Sequence, residues 1–275
     1  MKPKNKQKMW YLNIVIFLSV AYCMICLVLY VYQEKLIFFP QKLLADYKFH
    51  FTQNFEEVWV ENKAEDEILH ALWFKSKNKL SKQVVLYFHG NGGSLEGWGS
   101  VAKDFTMLGY DVFMIDYRGY GKSRGKISQK ILFKDAQKAL QFVKKHYAEQ
   151  NITLLGRSIG TGIASELATT CGAKRLILET PYYNFPSLVQ YHVPFLPTSW
   201  LLRYSFRSDL FLPKITCPVY IFHGTDDATI PYKFGQKLAA TIPKDRFITI
   251  TAGNHNNLAD YPLYHAKMKA ILSEE

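Results

Sequence analysis

A chain of 275 residues, less a basic tail and one long apolar run, leaves room for a single large domain with a buried core. With 48% hydrophobic and 21% charged residues the composition is that of a globular protein, which excludes intrinsic disorder, collagen-like repeats and low-complexity sequence. The net charge of +11 divides unevenly, with four lysines ahead of the first apolar run, but the basic residues are scattered and not clustered with base-stacking aromatics, so no nucleic-acid partner is expected, and four cysteines do not make a disulfide framework.

Residues 1–9 form a basic tail: Lys2, Lys4, Lys6 and Lys8 precede the first apolar run, and no acid appears before Glu34. Residues 10–32 carry no formal charge, and 23 residues of helix span about 35 Å, slightly more than a bilayer's hydrocarbon core. Trp10, Tyr11, Tyr30 and Tyr32 stand at the two ends, where amphipathic rings meet headgroups, and the lysines lie on the N-terminal side only. The pattern reads as a transmembrane anchor with a cytoplasmic N-terminus and an extracytoplasmic domain (periplasmic, extracellular or lumenal). A cleaved signal peptide is the competing reading, because Ser19-Val20-Ala21 has small residues at cleavage spacing; against it, the apolar run continues for eleven residues past Ala21. Cys23 and Cys26 lie inside this run as small hydrophobes.

Residues 33–55 read as a connector without clear periodicity, followed by a domain over 56–275. Strands are expected at 56–60 and 68–74, as a hairpin, and then at 83–88, 110–116, 151–155, 175–180, 218–223 and 246–251. Helices are expected near 97–108, 130–147, 159–170, 232–241 and 257–272. Continuously apolar strands separated by amphipathic helices imply an α/β architecture, a mostly parallel sheet covered on both faces. Cys171 and Cys217 each precede an expected strand, where they either pair or remain two buried thiols. Residues 181–213 interrupt the rhythm with nine aromatic residues, from Tyr182 to Phe211, and read as a short aromatic cap over a ligand cleft.

Four strand ends carry chemistry-bearing patterns. His89-Gly90-Asn91-Gly92-Gly93-Ser94 can present backbone N–H groups to a developing oxyanion, and the amides of Asn91 and Ile159 are assigned that role. Gly156-Arg157-Ser158-Ile159-Gly160 has the form of a strained strand-to-helix turn that exposes a serine at a helix N-terminus. In His223-Gly224-Thr225-Asp226-Asp227, Asp227 is taken as the acid that orients a histidine, Asp226 as a solvated or turn-capping neighbour, and Glu179 as a weaker stand-in. Gly253-Asn254-His255-Asn256 supplies the general base, His255. His265 reads as a surface or packing residue, and His50, His70, His146 and His192 carry no motif. Gly121-Lys122-Ser123 looks like the end of a phosphate-binding loop, but Asp116 stands where that loop needs glycine. No HExxH or paired CxxC is present, so no metal or other cofactor is expected.

HGNGGS, DYRGYGKS, GRSIG, HGTDD and AGNHNNL occur in the order found in α/β-hydrolases, and over roughly residues 56–272 the chain resembles the serine aminopeptidase-like or lysophospholipase-like branch of that superfamily. The resemblance implies an α/β-hydrolase fold of about eight strands with a small cap. It also implies a triad of Ser158, Asp227 and His255, an oxyanion hole near Asn91 and Ile159, and an N-terminal membrane anchor of the kind many members bear. Asn254 and Asn256 flank the histidine where other residues are common, and the cap is short. The expected activity is serine hydrolysis of an acyl ester or thioester of a lipid or small molecule. A membrane-bound peptidase and a non-catalytic binding protein of the same fold are the alternatives.

Overall fold

The computed structural model describes residues 4–62, 67–77 and 82–274; the start of the basic tail, with Lys2, lies outside them. In chain order the elements are α1 (Lys4–Ile37), β1 (Phe39–Pro40), β2 (Phe55–Asn62), β3 (Ile68–Phe74), β4 (Val84–Phe88), β5 (Gly92–Gly93), α2 (Leu95–Trp98), α3 (Ala102–Thr106) and β6 (Asp111–Ile115). They continue with α4 (Gln129–Val143), β7 (Ile152–Arg157), α5 (Gly160–Ala168), β8 (Arg175–Glu179), α6 (Phe185–His192), α7 (Thr198–Leu201) and α8 (Ser208–Phe211). The last four are β9 (Val219–Gly224), α9 (Tyr232–Ala239), β10 (Phe247–Ile250) and α10 (Pro262–Ser273).

Eight strands form one sheet in the order β10-β9-β8-β7-β4-β6-β3-β2. β3 runs antiparallel to both neighbours, β2 and β6, and the remaining pairs are parallel. The hairpin expected at 56–60 and 68–74 is the β2–β3 pair, with Phe55 opposite Phe74 and a bulge between Trp59 and Glu61. Alternation in the central strands explains why they are apolar throughout. Val84, Leu86 and Phe88 of β4 enter one core with Ala136, Leu140 and Ile163, while Val85 and Tyr87 enter the other with Phe105, Tyr264 and Met268. Each fully buried aliphatic side chain here contributes roughly 1.5–3 kcal/mol relative to exposure.

The helices follow local signals. Ser128 caps α4 by accepting the Ile131 N–H at 3.3 Å, and Leu132, Ala136, Ala139, Leu140 and Val143 bury one stripe. The helix expected across 97–108 is instead broken into α2, a 3₁₀ turn at Gly99–Val101, and α3, because Gly97 and Gly99 weaken any continuous helix there. α1 runs beyond the expected span, to Ile37. Its apolar stretch, Gln7–Ile37, has a mean hydropathy of 2.8 in its most apolar window, none of which is buried inside the fold; it is long and apolar enough to cross a membrane.

The stretch read as a connector is stitched to the domain. Phe39 N–H donates to Asn91 at 2.9 Å and Gln41 N–H to Gly93 at 2.8 Å, pairing β1 with β5. Leu43 and Phe49 are buried. Residues 181–213 form α6, α7 and α8 with turns between them, and all four cysteines are free.

Candidate active site

β7 delivers the chain to Ser158 through a turn only this sequence pattern fits. Ser158 has φ +53°, a left-handed conformation that costs a non-glycine residue on the order of 1–3 kcal/mol. A Cβ on Gly156 would lie 2.4 Å from the Gly160 carbonyl oxygen, and one on Gly160 would lie 2.2 Å from that of Phe88. The turn is held by Ser158 N–H donating to Glu179 O at 3.0 Å and by Thr161, whose N–H and hydroxyl both donate to Ser158 O, at 3.0 and 2.6 Å.

The loops after β9 and β10 bring the other two side chains to the serine. His255 Nε2 lies 3.0 Å from Ser158 Oγ, and His255 Nδ1 lies 2.8 Å from Asp227 Oδ2. Asp227 Oδ1 accepts the Thr229 and Ile230 N–H groups at 2.9 and 2.7 Å, and His223 Nε2 stands 3.4 Å from Oδ2. Burial raises the carboxyl's proton affinity, but hydrogen bonds from His223 and His255, the His255 charge and the Ile230 amide outweigh it and hold Asp227 well below the usual carboxylate range. An ionised Asp227 keeps the His255 proton on Nδ1 and leaves Nε2 free to accept from the serine.

The neighbouring candidates lie elsewhere. Asp226 is exposed and accepts from the Thr225 hydroxyl at 2.8 Å. Glu179 is buried and accepts from the Tyr264 hydroxyl. His265 is exposed on α10 and bonds Ala259 O, and burial lowers His70 and His89 to about 4. Lys122, in the loop resembling a phosphate site, pairs with Glu57 of β2 at 2.5 Å, and Ser123 bridges His70 N–H of β3 and Asp116 O, so the two brace the β2–β3 hairpin against the turn after β6. Among the described residues no group of three or more His, Cys, Asp or Glu side chains is arranged to hold a metal.

Asn91 and Ile159 both line the cleft with Ser158. Among the described residues neither backbone amide meets a protein acceptor, while Asn91 itself is pinned: its Nδ2 donates to Ile37 O at 2.9 Å, and its carbonyl accepts from Phe39 N–H and the Tyr120 hydroxyl at 2.9 and 2.7 Å. The cleft is a cavity of about 450 Å³ with mostly aliphatic and aromatic walls, among them Tyr182, Phe185, Leu188, Val193, Leu196 and Leu201.

Several contributors were not read from sequence. Arg157 Nη2 reaches the His255 and Asn256 carbonyls at 3.3 Å each and ties the histidine loop to the serine turn. His192 lines the cleft and bonds Thr229 O at 2.9 Å. Leu29, Gln33, Leu36 and Ile37 of α1 line it too.

Residues 79–208 match the family described as serine aminopeptidase, S33. The lysophosphatidylserine lipase ABHD12 of Danio rerio is 32% identical over 205 residues, 66% of this chain and 52% of that protein. Alpha/beta hydrolase domain-containing protein 17C of Mus musculus is 29% identical over 231 residues, 80% of this chain and 68% of that protein. The chain thus spans about half the length of the lysophosphatidylserine lipases it matches. Among solved structures, an esterase of Pyrococcus furiosus superposes with a TM-score of 0.64 at 16% identity, covering 86% of this chain and 97% of that one. Est1E of Butyrivibrio proteoclasticus, with ferulic acid bound, gives 0.63 at 19%, covering 78% and 96%. The strand order, the serine turn and these likenesses agree: the chain has the α/β-hydrolase fold, and its sequence is similar to the serine aminopeptidase, S33, family and to the lysophosphatidylserine lipases.

Proposed function

We propose that this protein is a membrane-anchored serine hydrolase that cleaves an acyl ester or thioester of a lipid-like substrate through an acyl-enzyme. The observation that carries the reading is the unbroken row from Ser158 Oγ through His255 to Asp227, with contacts of 3.0 and 2.8 Å. As Ser158 Oγ attacks the acyl carbonyl carbon, its proton passes to His255 Nε2, and the imidazolium is stabilised by the buried Asp227 carboxylate. The carbonyl oxygen, now an oxyanion, is held by the Asn91 and Ile159 amides, both free of protein acceptors. The tetrahedral intermediate collapses, the bond to the leaving alkoxide or thiolate breaks, and His255 gives that group its proton. Water then repeats the sequence against the acyl-enzyme, releasing the carboxylic acid and restoring Ser158.

An apolar cleft beneath α6 and α7 favours an acyl chain over a peptide, and the relatives named lysophosphatidylserine lipases point the same way. In this reading residues 181–213 are a small cap over the catalytic residues. On the same reading the four lysines that precede the uncharged run from Trp10 favour a cytoplasmic N-terminus, with the hydrolase domain on the other side of the membrane.

The test is labelling of the full-length protein by a fluorophosphonate, with turnover measured on p-nitrophenyl esters of rising chain length beside aminoacyl amides. Wild type labels and cleaves esters; Ser158→Ala abolishes labelling and lowers turnover by at least ~10⁴-fold. A folded wild type that does not label is a binding protein. One that cleaves amides and no ester is a peptidase.

A further inference from the structure

α1 is longer than a bilayer requires. The 31 residues of Gln7–Ile37 extend about 46 Å as a helix, against a hydrocarbon core of roughly 30 Å. Toward its C-terminal end the helix is covered on one face only: Cys26, Leu29, Gln33 and Ile37, spaced three or four residues apart, lose exposure, while Leu27, Val28 and Val31 keep it.

The segment that follows α6 accompanies this face. The Tyr22 hydroxyl donates to Phe195 O at 2.7 Å. Gln33 Nε2 donates to Leu201 O at 3.3 Å, Gln33 Oε1 accepts the Arg203 N–H at 2.8 Å, and Glu34 pairs with Arg203 at 3.1 Å. From Gln33 back to Tyr22 these contacts follow the helix for about 16 Å, well into the apolar stretch. With α1 across a bilayer, a segment reaching that depth would lie in the leaflet, and its composition suits that place: no residue from Pro181 to Leu202 is Asp, Glu, Lys or Arg. Phe195 and Trp200 are 71% and 90% exposed, which water disfavours and acyl chains accept. Leu29, Gln33 and Ile37, on the covered face, line the same cavity as Ser158.

We propose that the C-terminal part of α1, through Leu29, Gln33 and Ile37, is one wall of the binding site for a single long acyl chain, and that this chain enters from the surrounding leaflet between α1 and residues 193–202. The anchor is then part of the substrate pocket as well as a tether. This rests on the hydrolase reading above and adds to it the wall against which the acyl chain lies and the side from which it enters.

The experiment measures kcat/KM of the full-length protein on C4 and C16 p-nitrophenyl esters in detergent micelles. Leu29→Trp narrows the pocket, and the C16-to-C4 ratio falls at least about tenfold; Leu29→Ala widens it, and the ratio rises about threefold. Val31→Trp, on the exposed face at similar depth, leaves the ratio within about twofold of wild type. The same ratio for tryptophan at 29 and at 31, or no change in Leu29→Ala, overturns the wall. For the route, Phe195→Asp in proteoliposomes lowers cleavage of a vesicle-embedded long-chain ester, relative to the soluble C4 ester, by about tenfold; an unchanged ratio overturns entry from the leaflet. Failure of the hydrolase reading itself shows in wild type, as no labelling and no ester turnover at any length.

Discussion

Beneath the cleft, Ser158, Asp227 and His255 hang from loops at the ends of β7, β9 and β10, where backbone packs on backbone with no room for one extra methyl group. Above it, Leu188, Leu196 and Leu201 hang from short helices and turns whose outer side leaves Phe195 and Trp200 exposed. The lower wall is determined by hydrogen bonds and steric limits good to a few tenths of an ångström. The upper wall is apolar filling that a different aliphatic residue could replace with modest adjustment. Reaction chemistry needs the first kind of wall, because proton transfer tolerates little displacement. Selection among acyl chains needs only the second.

The largest effect expected from this contrast is at Asp227. Asp227→Asn keeps the shape of the lower wall and removes its charge, so the His255 tautomer is no longer fixed. kcat on a short ester should fall by roughly 10⁴-fold with little change in KM. Stability should respond in a defined pH window. Because the folded carboxyl is held below its ordinary value, its contribution is fully present above the unfolded value of ~3.9 and is lost as pH falls toward the folded one. The melting-temperature gap between wild type and Asp227→Asn should therefore be constant from neutral pH down to about 4 and narrow only below it. A gap that closes already between pH 7 and 5 would mean that another group governs.

Gly160→Ala probes the same wall through its backbone. The new Cβ would meet the Phe88 carbonyl oxygen at 2.2 Å, and that oxygen belongs to the central strand β4 and cannot turn aside. Stability should drop on the order of 3 kcal/mol, with turnover falling as well, because the Ile159 amide moves with the displaced helix. Denaturant unfolding of the detergent-solubilised chain measures the first effect, and a loss under ~1 kcal/mol would mean that the turn gives way to a methyl group at little cost.

The two walls also differ in how far they could be read from the sequence. Steric demands on a backbone leave glycines at fixed offsets and polar residues at strand ends, so the loops around Asn91, Ser158, Asp227 and His255 were legible, as were the eight strands and the mostly parallel sheet that they form. The part played by α1 was not. A helix that is apolar all round gives no periodicity by which to separate a lipid-facing side from a protein-facing one, so Leu29 read as anchor alone. Gln33 and Glu34, polar residues at the end of an apolar run, were the available hint that the helix goes on to meet protein. Arg157 was hidden differently: within GRSIG its position accepts any residue, and its hold on the His255 carbonyl arises only when the loop after β10 folds against it.

A matched pair of leucine truncations sharpens the comparison at the small end. Leu86 in β4 is fully buried among side chains from the sheet and its helices, so Leu86→Ala leaves a closed cavity and should cost roughly 2–5 kcal/mol. Leu188 on α6 is nearly as well buried, at 8% exposure, but faces a cleft that is already open on one side. Truncating it removes fewer contacts and creates no new closed void, so Leu188→Ala should cost only about 1 kcal/mol. Its main consequence should fall on selectivity, moving the preferred ester toward a longer or bulkier acyl group while Ser158 still labels with fluorophosphonate. Equal losses of stability for the two variants would mean that the upper wall is packed as tightly as the sheet, and that the cleft selects its substrate by rigid shape on both sides.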